Sequence, residues 1–310
     1  MDIGLVLGGF AVGIVVGLTG MGGGALMTPM LVFFFGVSPL AAVSSDLVAA
    51  AVMKPFGGAV HAVHKTVNWR LVGWLALGGV PSGFVGALLL RVVGKDSGVD
   101  SLVLTALGVA LLLAAFGLIV KAYLTMTRRR LRASDGPAAT PGGLAGIGVR
   151  PIPTVLIGVV GGLVVGMTSV GSGSIMIIAL LLLYPTLQSS QLVGTDLVQA
   201  VPLVAAAALG HLFFGDFHLD LAATLLLGSV PGTVIGALVS TRTSGGLVRR
   251  ALALVLLASG LKLLGVSTPV TAVAIVACLV LGPVAWMVAR RRNGLPASHF
   301  VARRLQKANT

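Results

Sequence analysis

The sequence predicts an all-α polytopic membrane protein. Its plan is two inverted-topology repeats of about five hydrophobic segments each, plus one extra C-terminal helix. Three observations predict this. Of 310 residues, 56% are hydrophobic and only 9% charged, a composition foreign to soluble domains. The chain is written twice: sliding residues 43–88 forward by 150 matches, among others, Asp46/Asp196, His61/His211, Gly78/Gly228, Pro81/Pro231 and Gly86/Gly236. The third is that loops equivalent under this shift carry opposite charge bias, as inverted copies should.

The apolar segments fall in order near 2–18, 24–36, 39–62, 68–92 and 101–125 in the first half, and near 154–168, 174–187, 190–214, 219–240 and 250–266 in the second. A further segment, 269–289, has no counterpart. The units are therefore 1–125, the first transmembrane repeat; 126–153, a linker; 154–266, the second repeat; 267–289, the additional helix; and 290–310, a basic tail. Most segments approach the ~20 residues that cross hydrocarbon as helix. None shows the alternation of a membrane barrel strand. Segments 24–36 and 174–187 are short, about 20 Å as helix. They are tilted crossings or arms of re-entrant hairpins, and either preserves the parity of the halves. The first segment lacks the basic flank of a cleaved signal peptide and reads as retained.

The formal net charge of +13 is the mark of positive-inside loops, not of nucleic-acid binding. Arg and Lys cluster at 128–132, 242–250, 290–292 and 303–307, beside apolar segments. Placing the Arg-, Gly- and Pro-rich stretch 126–153 in the cytoplasm makes it a flexible inner linker. It also puts Lys65 and Arg70 inside, and their repeat partners in the loop bearing Asp216 and Asp220 outside. The loop with Lys95 and Asp96 then lies outside, and its twin with Arg242, Arg249 and Arg250 inside. The N-terminus is expected outside and the C-terminus in the cytoplasm. Membrane lipid is the expected surrounding.

Glycine recurs every four residues in the first segment of each half (Gly9, Gly13, Gly17; Gly158, Gly162, Gly166). It recurs at spacings of three or four in the fourth (Gly79, Gly83, Gly86; Gly228, Gly232, Gly236). Small residues at this spacing let helices approach closely in lipid, so packing alone explains them. Pro81 and Pro231 should kink their helices, as hinges or as static bends.

Two polar interruptions recur at a shift of 149: Thr19-Gly20-Met21-Gly22-Gly23-Gly24 and Thr168-Ser169-Val170-Gly171-Ser172-Gly173. So much glycine does not hold a helix against lipid. Irregular backbone at depth is tolerated only where buried in protein or lining a watery cavity. An apolar helix follows each break, so its amides and dipole would face the break. With the hydroxyls of Thr19, Thr168, Ser169 and Ser172 this makes an anion cradle. The competing reading is a tight turn at the membrane surface. No phosphate-loop lysine follows either break.

Asp46 and Asp196 are the acids placed within apolar segments, each roughly 10 Å from its segment's start. An ionised Asp there costs on the order of 3 kcal/mol unless paired or hydrated. They are proton carriers or structural helix-end acids. Lys54 is the cation at an apolar segment centre and could counter-charge an anion. Val204 stands at its place in the second half. His61 and His211 match across halves and are candidates for proton coupling, with a hydrated structural histidine as the competing reading. No metal site or cofactor is expected. The single cysteine, Cys278, excludes an intramolecular disulfide, and no nucleophile–base grouping points to an enzyme.

These motifs together resemble the sulfite exporter TauE/SafE family. The likeness rests on Gly22-Gly23-Gly24 with Pro29, on Ser44-Ser45-Asp46-Leu47 and Gly194-Thr195-Asp196-Leu197, and on His61 followed by Val67-Asn68-Trp69-Arg70. It continues in Leu77-Gly78-Gly79-Val80-Pro81 and its second copy, and covers about residues 3–265. It departs at Asn68, where the family often has Asp, at Ser172 within the glycine motif, and in the second half, which has no Pro at the place of Pro29. The resemblance implies a secondary transporter of a small sulfur-containing anion, sulfite or organosulfonate-like. Transport would run across the bacterial inner membrane, outward and without ATP. A passive anion channel and an importer of a related oxyanion are the alternatives. The extra segment either caps the repeat pair or makes a homodimer contact.

Overall fold

A computed structural model describes residues 2–19, 23–93, 98–134, 148–187, 189–240 and 246–292. Among these every regular element is a helix. The first half gives α1 (Ile3–Thr19), α2 (Gly24–Phe35), α3 (Pro39–Val63), α4 (Trp69–Val93) and α5 (Val99–Ser134). The second gives α6 (Pro151–Thr168), α7 (Ile175–Leu183), α8 (Ser189–Phe214), α9 (Leu219–Ser240) and α10 (Gly246–Leu263), and α11 (Thr268–Arg292) follows. Seven helices, α3, α4, α5, α6, α8, α9 and α11, are long and apolar enough to cross a membrane. The protein is an all-α polytopic membrane protein.

Helix ends follow local chemistry. Pro151 opens α6 at the position where a missing N–H is harmless. Gly36, at φ 63°, closes α2 by returning its N–H to the Leu31 carbonyl. α5 runs on to Ser134, taking in the first part of the expected linker, because residues 121–134 hold good helix formers and no Gly or Pro. Residues 135–147 and the tail from 293 lie outside the described residues, as do Lys95, Asp96 and Arg242. At 1.5 Å per residue, α2 advances about 18 Å and α7 about 14 Å. Neither alone crosses the ~30 Å of hydrocarbon.

The halves interlock. α1 packs along α9 and α4 along α6, so the first helix of each half lies on the fourth helix of the other. α3 pairs with α8 and α5 with α10. Exchanging the halves leaves this list of partners unchanged. The exchange is not complete: α4 lies against α8 far more extensively than α9 lies against α3.

The glycine stripes explain the first two pairs. A Cβ on Gly228 would meet the Val6 carbonyl, and one on Gly13 would lie 3.0 Å from Ser229 Cα. Gly158, Gly162 and Gly166 press likewise on the backbone of Leu75, Gly79 and Gly83. Gly228→Val should therefore force α1 and α9 apart, lowering stability by ~1–3 kcal/mol, read as a fall in the thermal unfolding midpoint in detergent. At Gly73 and Gly282 a Cβ meets nothing within 4 Å. Alanine there should leave the midpoint unchanged or raise it, by the helix-propensity gain of up to ~1 kcal/mol.

Pro81 and Pro231 sit inside continuous helices. So do Pro55, directly after Lys54, and Pro202. Each removes a helical N–H and crowds the carbonyl four residues earlier. α11 packs against α10 and leaves Val273, Val276, Val280 and Val284 exposed, a surface suited to hydrocarbon.

Candidate functional site

The second interruption is a built turn. α6 ends at Ser169, a serine at φ 59°, whose N–H returns to the Val165 carbonyl at 2.7 Å. Gly171 (φ 131°) and Gly173 (φ 93°) follow, in backbone that L side chains rarely adopt. A non-glycine residue held at positive φ costs about 1–3 kcal/mol and persists only where its surroundings dictate it. Of the first interruption, Gly20 and Gly22 lie outside the described residues. Gly23 caps α2, its carbonyl accepting the N–H groups of Leu26 and Met27. Gly24 lies directly on Ser169: a Cβ there would overlap the Ser169 carbonyl and come within 2.6 Å of its hydroxyl. The two breaks touch.

The two threonines do the same work in both copies. Thr19 Oγ1 donates to the Val15 carbonyl at 2.8 Å and Thr168 Oγ1 to the Val164 carbonyl at 2.5 Å. Thr168 also accepts the Val170 N–H. Both hydroxyls tie off helix ends.

Around the joined breaks stand the three charged residues singled out above. Asp46 and Asp196 are each 1% exposed and Lys54 8%. Asp46 accepts the Thr28 hydroxyl at 3.0 Å and lies beside Gly23, where a Cβ would sit 3.8 Å from its Oδ1. It also borders Ser169, whose buried hydroxyl meets no partner of good geometry. Asp196 accepts Gln199 Nε2 at 3.1 Å and borders the Gly173 N–H. Lys54 acts on both carboxylates by charge, yet among the described residues it donates to Ser172 Oγ and to neither acid. The turn 168–174 thus touches one acid at Ser169, the other at Gly173, and the lysine at Ser172. Val204 is buried among apolar side chains, so α8 supplies no second lysine.

The histidines divide. His211 is wholly buried, which overturns a hydrated role at this position. Its Nε2–H donates to the Gly166 carbonyl at 2.7 Å, and its Nδ1 shares a hydrogen with Ser44 Oγ at 2.8 Å. It joins the residue two before Thr168 to the residue two before Asp46. His61 is half-buried and bonds Thr66 across its own loop at 3.0 Å, beside Gly194, two residues before Asp196. Asn68 caps α4, its Oδ1 accepting the Leu71 N–H and its own N–H donating to Thr195 Oγ1. An amide at this position serves the helix end as an Asp would.

Three residues absent from the sequence reading complete the cluster: Thr28, Gln199 and Lys121. Lys121, on α5, acts on Asp196 by charge. Gln199 follows Asp196 by three residues, a spacing that puts both on one helix face and could have flagged it.

A family model described as "Sulfite exporter TauE/SafE" matches residues 5–263. The chain is 40% identical to the Bacillus subtilis (strain 168) protein named "Probable membrane transporter protein YjnA", over 85% of this chain and 100% of that one. It is 22% identical to "Probable membrane transporter protein YdhB" of the same organism, over 75% of this chain and 88% of the relative. No solved structure matches.

Proposed function

The chain belongs to the sulfite exporter TauE/SafE family, and from that premise we propose that it is a proton-coupled secondary transporter of a small sulfur-containing anion. Sulfite or an organosulfonate is moved outward across the bacterial inner membrane. The N-terminus lies outside and the C-terminus in the cytoplasm. The observation that carries this reading is the contact of the two breaks, Gly24 on Ser169, ringed by Asp46, Lys54 and Asp196. Buried charge within membrane segments is costly and marks ion pathways. Interrupted helices that meet near mid-depth form the substrate sites of inverted-repeat transporters. In this reading Gly23, Gly24 and the turn Ser169–Gly173 hold the anion, Lys54 offsets its charge, and the carboxyl groups take up and release protons. His211 carries protons between the flanking segments, and His61 does so at the opposite end.

A binding screen tests the substrate class. Thermal unfolding of the full chain in detergent is followed with sulfite, sulfate, thiosulfate, sulfoacetate, taurine and phosphate. Sulfite or a sulfonate should raise the midpoint at millimolar concentration, by mass action on the folded state. Stabilisation by phosphate alone, or by none of the six, would remove the sulfur-anion assignment.

A further inference from the structure

Asp196 is buried among groups that suit a small oxyanion. Its carboxylate accepts the side-chain N–H of Gln199 and borders the backbone N–H of Gly173, with Lys54 of α3 and Lys121 of α5 acting on it by charge. A turn amide, a side-chain amide and two ammonium groups are the donors that hold a small oxyanion. Gln199 is wholly buried and its Oε1 meets no partner, so the pocket keeps polar capacity that its present groups do not use. Lys121 is half-buried, three residues before the end of the apolar span Val99–Leu124. It connects the buried cluster to that end of the span.

Charge decides what can enter. Asp46, Lys54, Asp196 and Lys121 form one chain of interacting groups, two acids against two bases, neutral when all are ionised. A monoanion added to this set leaves one uncompensated negative charge in a low-dielectric interior. One proton on the Asp196 carboxylate removes that charge. The same proton weakens its claim on the Gly173 N–H and on both lysines.

We propose that Asp196 is the built-in competitor of the transported anion: a proton taken from solvent onto its carboxylate frees Lys54, Lys121 and the Gly173 amide, which then bind the anion. Lys121 is thereby a further binding residue, and anion and proton load together, one for one, so the loaded carrier is electroneutral and runs outward only where the anion's own outward gradient exceeds the proton gradient. This rests on the anion-transport reading above. The groups facing Asp196 are Lys54 from α3, Lys121 from α5, Gly173 from the turn and Gln199 from its own helix, with Asp46 reached through Lys54.

The test is isothermal titration of the full chain in detergent with sulfite and with methanesulfonate, in buffers of different ionisation enthalpy. Methanesulfonate stays ionised throughout, so protons taken up belong to the protein. The wild type should take up about one proton per anion, with affinity falling about tenfold per pH unit above the range where Asp196 titrates. Asp196→Asn should bind with no proton uptake and no such pH dependence. Lys121→Gln should weaken binding at least tenfold, and Lys121→Arg should restore it. Monodisperse Lys121→Gln protein that still unfolds in one cooperative transition, whatever the shift of its midpoint, separates this from misfolding. Binding by the wild type without proton uptake, or undiminished binding by Lys121→Gln, overturns the competition and leaves the anion reading standing. If neither anion binds the wild type, the anion reading itself falls and this inference goes with it.

Discussion

Replacing Gly24 by alanine is expected to abolish transport while the protein still inserts and folds. The new Cβ would overlap the Ser169 carbonyl oxygen and lie 2.6 Å from its hydroxyl and 2.7 Å from its carbonyl carbon. Two of these three atoms are backbone, and Ser169 already sits at φ 59° between the end of α6 and the turn, so it has little room to yield. The breaks must separate by several tenths of an ångström or more. Asp46 borders both, so its position relative to Lys54 and the turn changes with them. Misplacement on the scale of 1 Å in a preorganised site costs about 100-fold in rate, and a loss of that order is expected in proteoliposome flux. The neighbouring Gly23→Ala is the control. Gly23 has ordinary helical φ and ψ, and a Cβ there meets only Asp46 Oδ1 and Met27 Cε at 3.8 and 3.9 Å. Its loss should be far smaller. Equal losses in both variants would mean that contact between the breaks is not what matters.

Lys54→Met is expected to be the most destabilising side-chain change in the chain. Methionine fills the volume of the lysine stem but leaves Asp46 and Asp196, each 1% exposed, without the ammonium that acts on both. Removing one partner of a buried charge set costs about 3–5 kcal/mol, because the remaining charge is stranded. The thermal midpoint should fall accordingly. Adding Asp46→Asn should recover much of that stability, since Asp196 and Lys121 then balance each other, and should not recover transport. A double-mutant cycle over Lys54 and Asp46 measures the coupling. A Lys54→Met protein as stable and as active as the wild type would show that the lysine neither neutralises the acids nor meets the anion.

Much of this was legible in the chain. Segment positions followed from runs of uncharged residues, and the glycine stripes marked the four helices α1, α4, α6 and α9 as closely packed, though not which of them pair. The duplicated Asp and the duplicated breaks marked the polar groups, and the structure brings Asp46, Lys54, Asp196, Ser169 and Ser172 together where the breaks touch. What the chain hid has physical reasons. Thr28 lies in an apolar run, where a hydroxyl ordinarily bonds its own helix, and its counterpart at the 149 shift is Ile177. Gln199 has Ala49 opposite it in the first half, so the duplication gave it no support. Lys121 stands near the end of its segment, close to the basic run 128–132, where it reads as an interfacial lysine with its stem along the apolar face. Its bearing on Asp196 depends on how α5 packs among α3, α6 and α7, which no local pattern encodes.

Proton-driven accumulation tests the central claim most directly. Purified protein in liposomes buffered at pH 7.5 is diluted into medium at pH 5.5 containing labelled sulfite or methanesulfonate, with protein-free liposomes subtracted for passive permeation. Joint loading of one anion and one proton predicts accumulation above the outside concentration, its collapse by a protonophore, and its absence in Asp46→Asn and Asp196→Asn. Equilibration that stops at the outside concentration, or accumulation unaltered in both variants, would contradict proton-coupled transport; the first outcome would identify a passive anion channel.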